Sequence, residues 1–337
     1  YSASHRTPTP VERRASPPGP DALDGQDAPR STTNRPFTIF SSARRTTPMF
    51  QKDLLQGKRI LITGGGTGLG KAAAQRFLEL GAEVYICGRR QEVLAATEQE
   101  LRERTGASNN GKKIHSRPCD VRDVAAVEEM IGDIWAEAPL DVLMNNAAGN
   151  FLARTEELSL GAFQSVIGIV LMGTLHMTMA CGRRWLAAGR GGVVLNITTT
   201  YTTTGSAYVV PSAVAKAGVQ ALTRSLAVEW GDRGIRMNAI APGPIPTEGA
   251  FSRLLPRPEL AEAAKKRNPL GRFGTTEEFA NLAAFLISDG AGYINGEVVT
   301  MDGGEWLQGA GEFTALGREL TEKEWEMMKP KSRKTKE

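Results

Sequence analysis

The stretch RILITGGGTGLGKAAAQRFLELG, Arg59 to Gly81, decides the fold. RILIT is an apolar run of strand length, and KAAAQRFLEL has helical spacing and stops at Gly81. Between them Thr63 to Gly70 read TGGGTGLG, with Gly64, Gly68 and Gly70 in the spacing G-x-x-x-G-x-G. Such glycines let the chain turn sharply and bring backbone N–H groups and a helix N-terminus close to a pyrophosphate. A glycine cluster alone is a weak signal. Between a buried strand and a helix it points to a dinucleotide site, with a purely structural turn as the competing reading.

Outward from this turn, strands and helices alternate. Strands are expected at EVYICGR, KIHSRPCDV, DVLMNNAA, GVVLNITTT, RMNAIAPGPI and EVVTMDGG. Helices are expected over 91–105, 123–137, twice between 158 and 189, over 212–231 and over 276–288. The fold class is therefore α/β, a single Rossmann-type doubly wound parallel sheet flanked by helices. Ligands should bind beyond the carboxyl ends of the strands. Residues 246–275 break the alternation and read as a substrate lid.

The domain is expected over 51–310. Residues 1–50 hold seven Arg against four acids, with many Ser, Thr and Pro and no periodicity. Disorder is expected there, and a mitochondrial transit segment competes with a plain tail or an expression scar. The remaining 34 basic and 33 acidic residues nearly cancel, which argues against a nucleic-acid surface. Residues 311–337 form an extension in which Thr321 and Glu324 make a capping box before KEWEMMK. The terminal KPKSRKTKE lacks the S-K-L ending of a peroxisomal address. No run of about 18 apolar residues suggests a membrane span. Cys87, Cys119 and Cys181 lie far apart, with no metal-ligand spacing, and read as buried structural thiols.

The end of the second strand should meet the adenosine ribose. It holds Gly88-Arg89-Arg90 and no acid, which favours a 2′-phosphate and hence NADPH over NADH. A solvated arginine pair is the alternative. Asp120 suits the adenine amino group, with helix capping as a second role for it or for Asp123. In TTTYTTTGSAYVVPSAVAKAG, Lys216 and Ser212 share a helix face one turn apart, where Tyr-x-x-x-Lys would suit carbonyl reduction. The candidate tyrosine, Tyr201, lies earlier, at the expected strand end. Tyr208 is a rival for its role.

TGGGTGLG, CDVRD, NNAAG, the Ser/Lys helix and PGPI, in this order, resemble the short-chain dehydrogenase/reductase family over residues 57–305. NNAAGNF, ITTTY, VVPSAVAKAG, PGPIPTEGAFSRL, GRFGTTEEFANLAAFL, INGEV and DGGE are similar to NADPH-dependent 2,4-dienoyl-CoA reductases of the mitochondrial type. The resemblance implies that Tyr201 and Asn150 hydrogen-bond a thioester oxygen, that Lys216 holds the nicotinamide ribose and that Ser212 supports the network. It implies a cofactor cradle of Gly64, Gly65, Gly66, Thr67, Gly68, Leu69 and Gly70, with Arg89, Arg90, Asp120, Val121, Asn146 and Ala147. The same resemblance implies that Pro242, Gly243, Pro244 and Ile245 cover the nicotinamide side. Arg122, Phe151, Ser159 and Arg253 are the implied acyl-CoA contacts. A homotetramer is implied as well. Gly88 departs from the small polar residue usual before the arginine. The residues themselves leave other readings open: a turn role for Asn150, a generic carbonyl or enoyl-CoA reductase, or a non-catalytic NADPH-binding protein. Lys265 and Lys266 read equally as CoA-phosphate contacts or as a solvated face. Asn196 reads as a tie between strands.

Overall fold

A computed structural model describes residues 50–106, 113–150, 152–247 and 258–308, with Thr321 and Lys323 beyond them. These residues belong to a unit spanning Pro48–Glu337. The expected readings of 1–49, Phe151, Arg253 and Glu324 fall outside the described residues, as does most of the expected terminal helix.

Seven strands form one parallel sheet: β1 Arg59–Thr63, β2 Glu83–Gly88, β3 Ile114–Pro118, β4 Val142–Asn145, β5 Gly192–Ile197, β6 Ile235–Pro242 and β7 Val298–Met301. Their order is β3-β2-β1-β4-β5-β6-β7. Every residue of β1 is buried, as expected where helices cover both faces of a parallel sheet. On one face Ile60, Ile62, Val84 and Ile86 pack with Phe77 of α1 (Gly68–Glu79) and Phe279 of α8 (Thr276–Ile287). On the other, Leu61, Leu143 and Val194 pack with residues of α3 (Val124–Glu137), α4 (Leu160–Ala187) and α6 (Val210–Trp230), including Ile131, Trp185 and Trp230. The strand order reverses between β1 and β4, which opens a crevice above their carboxyl ends. The remaining helices are α2 (Gln91–Thr105), one-turn α5 (Tyr201–Thr204), α7 (Pro258–Arg267) and one-turn α9 (Glu305–Gln308).

Three local expectations change. The pair of helices expected between 158 and 189 is one helix, α4, interrupted by a π-helical stretch over Gly168–Met172. Its length and a mean hydropathy of 1.6 would suffice to cross a membrane, yet Met177, Cys181 and Trp185 are fully buried in the domain. The strand expected to run to Thr200 ends at Ile197, and Tyr201 opens α5 instead of ending the strand. The threonines bend the chain there, because Thr202 returns both its N–H and its hydroxyl to the Thr199 carbonyl, at 3.3 and 2.9 Å. The strand expected to reach Ile245 stops at Pro242, since Pro242 and Pro244 offer no ladder N–H. Helix α7 lies inside the expected lid segment, of which residues 248–257 lie outside the described set.

Candidate active site

A cleft of about 470 Å³ opens at the carboxyl ends of the strands. Gly64, Gly66, Thr67, Gly68 and Leu69 form its floor. Gly64 and Gly68 have φ of +66° and +54°, where a side chain would be strained. Gly65 and Gly70 serve packing instead. A Cβ on Gly65 would lie 2.5 Å from Ile86, and one on Gly70 would lie 2.5 Å from the Gly64 carbonyl. Two threonines missed in the sequence hold this turn. The Thr63 hydroxyl accepts from the Asn146 and Ala147 amides at 3.0 and 2.9 Å, while the Asn146 side chain donates to the Thr63 and Gly64 carbonyls. Thr97 donates from α2 to the Gly66 carbonyl at 2.7 Å. Nothing local marks either residue, because both act on partners distant in sequence.

The far wall carries the chemistry-bearing side chains. Tyr201, Ser212, Lys216 and Asn150 all line the cleft, with Asn146, Ala147, Val121 and Pro242. The Tyr201 hydroxyl lies 3.0 Å from the Ser212 hydroxyl. Buried Lys216 donates from Nζ to the Ile197 carbonyl at the end of β5. Removal from water pushes this amine down to about 8. The lysine and the tyrosine are thus anchored separately. Asn150 is half-buried on the segment after β4.

Beneath this wall runs a buried polar chain. Asn145 Nδ2 donates to Thr178 Oγ1 at 3.0 Å and to Asn196 Oδ1 at 2.9 Å, and Asn196 Nδ2 donates to Thr223 Oγ1 at 2.8 Å. Asn145 and Asn196 face each other in the β4–β5 register, so Asn196 does tie adjacent strands.

The other end of the cleft holds exposed Arg89 and Arg90, with Asp120 across from them. Arg122 does not line the cleft. Its guanidinium clamps the Asp120 carboxylate at 2.5 and 3.0 Å, which holds that carboxyl below its ordinary range. Asp123 caps α3 by accepting from the Ala125 and Ala126 amides. Cys87 and Cys119 also line the cleft. Burial raises all three cysteine thiols, Cys119 to about 11 and Cys181 to about 12, so they stay protonated and unreactive.

Several expected contacts lie elsewhere. Ser159 caps α4, accepting from the Ala162 amide at 3.1 Å, and is not part of the cleft wall. Gly243 packs on Asp302, where a Cβ would approach to 2.5 Å, and Ile245 packs on Gly274. Pro244 lines a separate, smaller cavity with Asn268 and Asp302. Lys265 is held by Glu262 at 2.6 Å and sits over the Phe273 ring. Among the described residues no cluster of His, Cys, Asp or Glu is placed to hold a metal ion.

A glycine turn on a seven-stranded parallel sheet, with a lysine and a hydroxyl pair above it, defines an oxidoreductase site for a nicotinamide cofactor. A family model described as enoyl-(acyl carrier protein) reductase matches residues 64–305, and the chain belongs to the short-chain dehydrogenase/reductase family. The chain is 46% identical over 255 residues to "Probable 2,4-dienoyl-CoA reductase [(2E)-enoyl-CoA-producing]" of Bacillus subtilis, an alignment covering 75% of this chain and 98% of that protein.

 In Caenorhabditis elegans, "Probable 2,4-dienoyl-CoA reductase 3 [(3E)-enoyl-CoA-producing]" is 44% identical to this chain over 263 residues, covering 77% of this chain and 83% of that protein. Among solved structures, a gluconate 5-dehydrogenase from Burkholderia cenocepacia in complex with NADP and tartrate superposes with a TM-score of 0.69 at 29% identity, covering 75% of this chain and 97% of that one.

Proposed function

We propose that this protein is an NADPH-dependent 2,4-dienoyl-CoA reductase that forms trans-3-enoyl-CoA in the β-oxidation of unsaturated fatty acids. The observation that carries the reading is the separation of Tyr201 from Lys216. Tyr201 pairs with Ser212 at 3.0 Å, while the lysine amine is held by the Ile197 carbonyl. A ketone reductase must deliver a proton to oxygen and favours an acid coupled to its lysine. A dienoyl thioester needs only hydrogen-bond donors where negative charge gathers on its oxygen. Tyr201 and Asn150 supply such donors without ionising.

The cleft suits NADPH by shape and charge. Its floor is bare glycine backbone that a pyrophosphate can approach closely, and a Cβ on Gly64 would crowd Ala147 Cα at 3.0 Å. Arg89 and Arg90 would take the 2′-phosphate, Asp120 the adenine edge, and Lys216 the nicotinamide ribose. The cofactor supplies a hydride. In the overall reaction that hydride joins the δ carbon and a proton from solvent joins the α carbon, so the remaining double bond lies between the β and γ carbons. Tyr201 and Asn150 hold the thioester oxygen while it carries charge and release it afterwards. Arg253 and Phe151 remain proposed acyl-CoA contacts from the family resemblance, as does assembly into a homotetramer. A mitochondrial address rests on the composition of residues 1–50 alone.

Incubation with NADPH and 2,4-decadienoyl-CoA, with the product's double bond located by NMR, tests this reading. A trans-3-enoyl thioester is the expected product. A 2-enoyl product, or no reduction, would contradict it.

A further inference from the structure

Among the described residues, Tyr208 is the only one other than glycine with a positive φ, at +67°. Bulky L residues rarely adopt this left-handed backbone, whereas Gly and Asn adopt it readily. The Tyr208 side chain does not explain it. That side chain is 58% exposed, lies off the cleft wall and makes no hydrogen bond among the described residues. The backbone offers a reason. The Tyr208 carbonyl accepts from the Ala153 amide at 3.0 Å.

This bond joins two connections that leave different strands. One follows β4 and carries Asn150. The other follows β5 and carries Tyr201, then enters α6 at Val210 and reaches Ser212. Two donors can serve one oxygen only if the spacing between their segments is fixed, to within roughly 0.5 Å. Strained backbone persists where the surrounding structure over-determines it, and such residues cluster at active sites.

We infer that the left-handed backbone of Tyr208 is a positioning device, latching the Asn150 segment to the segment of Tyr201 and Ser212. The inference rests on the proposed function for what the two donors bind. Tyr208 acts through its carbonyl and does not touch substrate.

The test compares Tyr208→Asn with Tyr208→Val in the full chain. Asn accepts the left-handed conformation, so kcat should stay within about threefold of the parent. A β-branched valine should leave that conformation, and a misplaced donor should lower kcat by roughly 100-fold. The Kd for NADPH should not move in either variant. Hydrogen exchange at the Ala153 amide should remain slow with Asn and become fast with Val. Tyr208→Ala, with an intermediate loss, replaces Val if that variant does not fold. A valine variant with parental kcat would overturn the latch. So would an asparagine variant that loses as much as valine, because the side chain would then carry the effect. The Ala153 exchange needs no substrate. The latch is therefore judged separately from the dienoyl-CoA reading, which fails if the parent does not turn over that substrate.

Discussion

The Tyr201 hydroxyl and the Ser212 hydroxyl lie 3.0 Å apart, bridging α5 and the first turn of α6. The serine occupies the helical position one turn before Lys216, and the tyrosine reaches it from the preceding connection. A shared hydrogen bond holds the phenol at the cleft wall while leaving it able to face a ligand oxygen.

Replacing Tyr201 with phenylalanine should remove one donor from the thioester oxygen. Loss of such a donor costs about 2.7–4 kcal/mol in the transition state, or roughly 100- to 1000-fold in kcat. Stopped-flow or steady-state turnover checks this, with NADPH affinity measured in parallel. An unchanged kcat would remove Tyr201 from the chemistry.

Lys216 predicts a pH dependence. Its folded pKa is depressed to about 8 from an ordinary 10.5. Below about 8 the amine is charged in both the folded and unfolded chain, and the cost of burying that charge is present in full. Between about 8 and 10.5 the unfolded chain binds the extra proton, so this group's contribution to stability improves as pH rises. Cofactor binding runs the opposite way. In the proposed role of Lys216 at the nicotinamide ribose the cationic form supports binding, so kcat/KM for NADPH should fall above about pH 8. A profile flat through that region would contradict this role.

Arg89→Ala should weaken NADPH much more than NADH. A hydrogen bond to a charged group contributes about 1.5–3 kcal/mol, or roughly 10- to 100-fold in Kd. Fluorescence titration with both cofactors measures the ratio. Equal losses would argue against 2′-phosphate recognition by this residue.

Asn196→Ala should destabilise the domain. It removes two buried hydrogen bonds, leaving Asn145 Nδ2 with Thr178 as its remaining acceptor and the Thr223 hydroxyl with only its bond to the Val219 carbonyl. Each lost hydrogen bond contributes about 0.5–1.5 kcal/mol. Denaturant unfolding should show a lower midpoint with little change in slope. An unchanged midpoint would mean that the chain of amides and hydroxyls contributes little.

The sheet and the cofactor turn were legible because their signals are local. Apolar runs of strand length alternate with helical spacing, and Gly64, Gly68 and Gly70 fall between the first such pair. The shared face of Ser212 and Lys216 follows from helical periodicity in the same way. What was not legible depends on partners far along the chain. The family resemblance implies Arg122 at the substrate, whereas the structure pairs it with Asp120. Thr63 and Thr97 hold the glycine turn through Asn146, Ala147 and Gly66, and no pattern marks them. Tyr201 belongs to a helical turn because neighbouring threonines bond their own backbone, which a β-favouring run of ITTTY conceals.

Turnover of 2,4-hexadienoyl-CoA and of a 3-ketoacyl-CoA, followed in parallel through NADPH oxidation by the same preparation, tests the central claim most directly. The separate anchoring of Tyr201 and Lys216 predicts reduction of the dienoyl thioester and little or none of the ketone. Reduction of the ketone without the dienoyl thioester would contradict it.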